Sequence, residues 1–499
     1  MIPLMVAFPL LFGFIIVILD TLRAKKILIK ASFLLGAVLP AGVFLVENGG
    51  EIVGGWSRVA GIEVGIGEIN APFIAGELML FTVVALYSLS YFDFRDKKTA
   101  KALVLFLLMH AGLLGSFLAK DFFNFYIYME IASVSAFALV AFSEEPGSKK
   151  AAFKYLILSL LASYLFIFAI GVIYMETGYL NVGLVAENAL PSRELSTALG
   201  VAFASLLLKA GLFPLHGWLP DAHSIAPTPV SALLSGLVVK APAYGMILLF
   251  SALPVGESLK TAAMIVAVAS IFFGIIMALL QRDAKRLLAY HTVSQMGYVL
   301  LGIVTFNFIG AAYYALDHSL FKGGLFLSVG SLGTRSRKLG EFGYKNAPLM
   351  TFSVLMLSLA IGGISPFIGS YAKGLISSGL PGVWRWAVPL GTIGTLVSFT
   401  KLNYYLSRGE TGVLRPSWKL SSLVLALTTL GAGIYLGAGL KLSDAVYIFT
   451  AVLAFFVLRA LGVFEIEAYS EAKDVGRDVN VLTAVFVTFM LTVLLLQWP

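Results

Sequence analysis

Seven lysines lie inside stretches apolar enough to be buried in hydrocarbon: Lys30, Lys154, Lys209, Lys240, Lys322, Lys373 and Lys401. No arginine shares such a position. The distinction is chemical. A lysine in an apolar interior can surrender its proton and regain it, whereas a guanidinium stays charged. Each such residue costs about 2.5–3.5 kcal/mol at the centre of a membrane helix, so packing is a poor reason for keeping several. Lys209, Lys240 and Lys373 sit deepest. Lys30 and Lys154 lie near helix ends, where a long side chain can snorkel to the surface. The matching anion is Glu130, in Asn124-Phe-Tyr-Ile-Tyr-Met-Glu130. An intramembrane carboxylate beside lysines either pairs statically or exchanges protons. Glu77 and Asp317 also fall inside spans, where capping or local pairing accounts for them equally well.

All five histidines, His110, His216, His223, His291 and His318, lie in or beside spans. Histidine titrates near neutrality and can relay a proton between its two ring nitrogens. His291 and His318 fall in successive spans, and His318 and Lys322, spaced i, i+4, share a helix face. His110 reads as a hydrogen-bonding strut. No histidine stands near carboxylates or thiolates at metal-ligand spacing. The chain has no cysteine, which excludes disulfides and cysteine-ligated iron–sulfur clusters within it. No catalytic residue, metal or cofactor is expected. Two helices look broken beside a lysine. Pro214 follows Lys209 by five residues, removing a backbone donor and freeing carbonyls. Gly362-Gly363-Ile364-Ser365-Pro366 precedes Lys373. Discontinuous helices carrying charge at corresponding places in two halves point to a transport site. Lys209 and Lys240 are 31 residues apart, Lys373 and Lys401 28.

The elements that must hold these residues are membrane helices. The 499 residues are 59% hydrophobic and 12% charged, which makes the bilayer the main solvent. Apolar runs long enough to cross a core of ~30 Å recur from end to end, without the dyad alternation of a β-barrel. They predict an all-α polytopic fold of about 14–16 transmembrane helices. Met1–Asp20 reads as the first span, since it lacks a basic leader region and a small-residue cleavage site. With the N-terminus outside, the inside loops hold 22 of the 35 cations and the outside loops six, the bias expected of a multi-pass plasma-membrane protein. The net charge of +8 therefore belongs to topology rather than to nucleic acid. The longest polar connections, roughly 47–72, 177–196 and 465–479, are too short to fold alone, and Glu465–Asn480 could form a short surface helix.

The same residues carry a family resemblance. The stretch from Leu207 through Lys209, Pro214, His216, Pro220-Asp221-Ala-His223 and Pro227-Thr-Pro229 to Lys240 resembles the signature of antiporter-like subunits. These are shared by respiratory complex I, the Mrp sodium/proton antiporters and membrane-bound hydrogenases. Asp121-Phe-Phe-Asn124 through Glu130, Asp283 through His291 to Gly297, His318 through Lys322, and Pro366 through Lys373 resemble further family segments. The resemblance spans roughly residues 75–405. It implies two inverted five-helix repeats, each with a half-channel, joined by a central hydrophilic axis. The divisions expected are N-terminal helices over 1–74, a first repeat over 75–255, a second over 256–410, and C-terminal helices over 411–499.

The resemblance assigns Glu130 and Lys209 to the first-half pair, Lys240 with His291 or His318 to the connection, and Lys373 to the exit, and Lys322, on the His318 span, joins the ion-translocating set. His216, Asp221, His223, Pro214 and Lys401 take supporting places. Lysine at position 373 is similar to the Mrp D-type subunit and its hydrogenase relatives, whereas other branches carry glutamate. Ala241-Pro242 departs from relatives, which usually have no proline after the lysine. The function so implied is translocation of protons or sodium ions by one subunit of a Mrp-type or redox-driven complex. Its partners would be other membrane subunits, including iron–sulfur or hydrogenase-type ones that hold any redox centres. A free-standing transporter of an organic solute and a membrane scaffold are the alternatives. A graded row of titratable groups argues against the scaffold.

Overall fold

A computed structural model describes residues 1–96, 98–334, 336–466 and 475–496. The chain opens with α1 (Leu4–Thr21) and α2 (Lys26–Val46), then a two-stranded antiparallel hairpin, β1 (Gly49–Ile52) and β2 (Glu63–Ile66). There follow α3 (Ala71–Tyr91), α4 (Lys98–Leu118), α5 (Phe122–Ala141), α6 (Ser148–Thr177), α7 (Val182–Asn188), α8 (Arg193–Ala210), α9 (Leu219–Ile225), α10 (Thr228–Leu233) and α11 (Lys240–Ala252). Next come α12 (Glu257–Leu279), α13 (Ala284–Val304), α14 (Phe308–Leu332), α15 (Pro348–Gly362), α16 (Ile368–Ser378) and α17 (Ala387–Leu406). The chain closes with α18 (Pro416–Tyr435), α19 (Leu442–Ala460) and α20 (Val475–Leu496).

The fold is an all-α polytopic membrane protein. Among the described residues, twelve helices are long and apolar enough to cross a bilayer. Three more, α8, α14 and α17, have the length but carry charged and polar residues that lower their hydropathy. A fourth is split between α15, fifteen residues long, and α16. Counting these four, the described residues hold sixteen candidate spans. The hairpin in the 47–72 connection has no counterpart in the sequence expectations. Asn181 Nδ2 donates to Glu63 at 2.7 Å and so ties it to the bundle. The possible surface helix over Glu465–Asn480 falls mainly on residues 467–474, outside the described residues, and from Val475 the chain is already α20.

One order of elements occurs twice. Helices α4, α5 and α6 are followed by α8, broken from α9, and then by α10 and α11. Helices α12, α13 and α14 are followed by α15, broken from α16, and then by α17. Both breaks have a physical cause in the sequence. Gly211 ends α8 at φ +67° and Gly363 ends α15 at φ +74°, a left-handed conformation that suits glycine. Pro214 and Pro366 then supply no N–H to restart the ladder. At the second break Gly363 is needed twice, because a Cβ there would stand 2.6 Å from Lys373 Cδ.

Burial is graded from centre to edge. In α13 every residue but Arg286 is buried, and in α11 every residue but Ser251. Helix α14 packs on α3, α10, α13, α15, α16 and α18 and is the hub of the bundle. The outer helices α19 and α20 bury 17% and 11% of their spanning stretches, so hydrocarbon or another chain must cover them.

Lys401 belongs to the scaffold. Its Nζ donates to Leu279 O at 2.6 Å and Gln281 O at 2.7 Å, capping the end of α12. Lys401→Met should leave these carbonyls unsatisfied and cost on the order of 2 kcal/mol. The expected outcome is a lower thermal midpoint for the detergent-solubilised protein, read by tryptophan fluorescence. An unchanged midpoint would refute the capping role.

Candidate functional site

The first-half pair is formed between neighbouring helices. Lys209 Nζ, near the end of α8, donates to Glu130 Oε1 on α5 at 2.7 Å. The same carboxylate oxygen accepts from Ser163 Oγ on α6 at 2.6 Å. Lys209 also reaches Ser159 Oγ at 3.1 Å. Three helices thus converge on one ion pair, with the ammonium 4% exposed and the carboxylate 18%.

A second group lies around α14. Lys240 Nζ donates to Ser235 O at 2.5 Å. That carbonyl lies in a π-helical turn, Leu234–Val238, between α10 and α11. Pro242, four residues after Val238, has no N–H to return to it, which accounts for the irregular ladder. Lys322 Nζ donates to Leu288 O of α13. His223, His291 and His318 are fully buried, and among the described residues none of their ring nitrogens has a hydrogen-bond partner. His223 and His318 lie within electrostatic reach of both Lys240 and Lys322, and His291 within reach of Lys322 and Lys373.

The third group surrounds the α15–α16 break. Lys373 Nζ donates to Gly362 O, the carbonyl freed at the end of α15, at 2.9 Å, and to Thr392 Oγ1 of α17 at 3.1 Å. It stands 4.6 Å from the Tyr298 ring centroid, a cation–π distance. A cavity of about 440 Å³ leads away from it, lined by Ser370, Arg385, Trp386, Lys441 and Asp444. The residues from Lys240 to Lys373 therefore follow one another through the buried centre. The charged group acting on Lys209 is Glu130, and that acting on Lys240 is Lys322.

The supporting residues divide. Asp221 pairs with Lys154 at 2.8 Å and Arg286 at 2.8 Å, tying α9 to α6 and α13. His216 lies in the first break, 4.5 Å from the Phe273 ring centroid. Lys401 caps α12, away from Lys373. One reading changes. Lys154 does not snorkel: it is 6% exposed and held by Asp221 and by Asp478 at 3.2 Å, partners from distant parts of the chain. Glu77 and His110 pair with each other across α3 and α4 at 2.5 Å, both fully buried. Lys30 is half-buried, its ammonium 4.4 Å from the Phe94 ring centroid. At the loop before α13, burial pushes the Asp283 carboxyl above its usual range, and Arg337, 3.2 Å away, pulls it back.

Comparison with known proteins gives the family. The family model described as NADH:quinone oxidoreductase/Mrp antiporter, TM, matches residues 119–398. The chain is 34% identical over 430 residues to NADH-quinone oxidoreductase subunit N of Desulforudis audaxviator, covering 79% of this chain and 85% of the relative. It belongs to that family. It is also 27% identical over 341 residues to the D-type subunit of a Na(+)/H(+) antiporter of Bacillus subtilis, covering 66% and 69% of the two chains. A chain of the membrane-bound sulfane sulfur reductase, an archaeal respiratory membrane complex, superimposes with a TM-score of 0.77 at 25% identity, over 91% of this chain and 99% of that one.

Within this family member, three residues at the second break escaped the sequence reading as partners. Asp317 faces Lys373 electrostatically and points at Gly369, where a Cβ would lie 2.5 Å from its Oδ2. Its position beside His318 was the available signal. Asp444, in the first turn of α19, accepts from Ser365 N at 2.8 Å and also from Ser365 Oγ. Lys441 Nζ donates to Ser370 Oγ at 3.1 Å. Helix α19 thereby clamps the break and α16 from outside. Asp444→Ala should free the segment, at about 2 kcal/mol, and raise hydrogen exchange across Ile368–Ser378. Asp444→Asn, which keeps an oxygen acceptor, should do so less. Identical exchange in wild type and Asp444→Ala would refute the clamp.

Proposed function

We propose that this chain is an ion-translocating, antiporter-like subunit of a multi-subunit membrane complex, of Mrp type or redox-driven, and that its interior carries protons. The carrying observation is the buried Lys209–Glu130 pair at 2.7 Å, beside a central row of lysines and histidines. Ammonium groups repel a sodium ion but can pass a proton. Any sodium movement is then coupled elsewhere in the complex. The partners are other membrane subunits, with iron–sulfur or hydrogenase-type subunits in a redox-driven complex. The chain sits in the plasma membrane with its N-terminus outside, a topology that the charge bias supports.

The mechanism follows from the cost of unpaired charge. While Glu130 is ionised, it holds Lys209 as an ammonium. A proton arriving at Glu130 removes that partner, and an ammonium without an anion in a low-dielectric interior is the expensive state. Releasing its proton toward Lys240 relieves it. His223, His318 and His291 can each accept at one nitrogen and donate from the other, which links Lys240 and Lys322 to Lys373. At Lys373, Asp317 and the Gly362 carbonyl hold the charge until release into the cavity lined by Lys441 and Asp444.

Glu130→Ala and Lys209→Ala should each abolish coupled proton movement in proteoliposomes while the complex assembles normally on a native gel. Pumping at the wild-type rate by either variant would overturn the assignment. The purified subunit alone should be inert, having no energy source of its own. Robust antiport from it would favour a free-standing transporter instead.

A further inference from the structure

A groove of about 530 Å³ runs between α15, α17 and α19. Its walls are Leu355, Leu359, Leu396, Ile448 and Ala451, with Asn403 and Tyr404 toward one end. At that end two guanidinium groups converge on one ring: Arg408 lies 4.2 Å and Arg459 4.5 Å from the Tyr404 centroid. Both arginines are exposed, and among the described residues neither has a carboxylate partner. The Tyr404 hydroxyl is buried and, among the same residues, lacks a hydrogen-bond partner. Two like charges drawn to one place without an anion repel each other. An anion between them would relieve that repulsion.

We propose that this groove binds an anionic phospholipid, with an alkyl chain between α15, α17 and α19 and the phosphate headgroup on Arg408 and Arg459. Three features favour a lipid. The anion site continues directly into an apolar slot. The flank of α19 beside the slot exposes Phe449, Leu453 and Phe456, a surface suited to hydrocarbon. Arg408 lies just beyond the end of α17 and Arg459 in the last turn of α19, which is headgroup depth. Tyrosine and arginine at that depth, between helices, make a basic interfacial pocket of the kind that holds phosphate headgroups. The Tyr404 hydroxyl can donate to the same phosphate.

The site bears on the interior because α17 has two working faces. One lines the groove through Leu396, Asn403 and Tyr404. Another presents Thr392 to Lys373 at 3.1 Å, and Phe399 joins the two, lining the groove and packing on His291 with ring centroids 4.9 Å apart. A lipid seated in the groove would hold α17 against the row. That consequence rests on the proposed function; the binding itself does not.

The test uses the purified complex containing this chain, titrated with phosphatidylglycerol or phosphatidylcholine and read by native mass spectrometry. Wild type should retain phosphatidylglycerol in preference to phosphatidylcholine. Arg408→Gln with Arg459→Gln should weaken phosphatidylglycerol binding about thirtyfold, the loss of two interfacial cations. Arg408→Lys with Arg459→Lys should stay within severalfold of wild type. Ile448→Trp, which fills the slot and keeps both arginines, should also displace the lipid. Proton movement in neutral-lipid proteoliposomes should rise when phosphatidylglycerol is added to wild type but not to the double glutamine variant. Equal retention of phosphatidylglycerol by wild type and the double glutamine variant, with matching thermal midpoints, would overturn the proposal. So would displacement of the lipid by inorganic phosphate without any effect of Ile448→Trp, which would mark a soluble-anion site.

Discussion

A buried ammonium must have an acceptor, and this molecule supplies two kinds. Lys209 has a carboxylate, Glu130, at 2.7 Å, and the pair is close to neutral. Lys240, Lys322, Lys373 and Lys401 donate to backbone carbonyls. A carbonyl stabilises the charge but does not cancel it, so Lys240 and Lys322 lack the compensating carboxylate that Lys209 has in Glu130 and Lys373 has facing it in Asp317. In hydrocarbon, a helix uses up its own carbonyls. Most of these acceptors lie where helices end or bulge, Gly362 at the end of α15, Leu279 and Gln281 at and just past the end of α12, and Ser235 in the π turn, whereas Lys322 reaches Leu288 O within α13.

The helix breaks are thus part of the electrostatics. Gly363 ends α15, leaves its last carbonyl free, and makes room for the Lys373 side chain that uses it. Asp444 and Lys441 then fasten the loosened segment from α19. The equivalent break after Lys209 is closed differently. Trp218 Nε1 donates to Leu208 O at 2.9 Å, and Asp221 anchors α9 to Lys154 and Arg286. The two halves share an order of elements yet assign their charges differently. Lys209 precedes its break while Lys373 follows one. Lys240 faces the central row, and Lys401, in the corresponding last helix, caps α12.

Layering protects this interior. Helices α11, α13 and α14 carry most of the polar row and are almost wholly buried by their neighbours. An ionisable residue is tolerable on them because other helices, rather than lipid, surround it. Hydropathy alone understates such helices. Helix α14 spans 25 residues but holds Asp317, His318 and Lys322, and falls short of the apolarity its outer neighbours reach.

Local chemistry made much of this legible in the chain itself. Runs of apolar residues required helices. Pro214 and the run Gly362-Gly363-Ile364-Ser365-Pro366 marked the two breaks, and lysines without arginines marked the interior. Those properties depend on a residue and its near neighbours, so sequence displays them directly. Pairing was another matter. Lys209 meets Glu130 across 79 residues, Ser365 meets Asp444 across 79, and Lys154 meets Asp478 across 324. Nothing local distinguishes Lys401, which caps a helix, from Lys373, which faces Asp317 and a cavity. Nor does anything local separate a snorkelling Lys154 from one locked between two aspartates. Composition and period set the helices and the cost of charge within them. Which acceptor meets each charge depends on how helices far apart in sequence cross, and only the tertiary structure decided that.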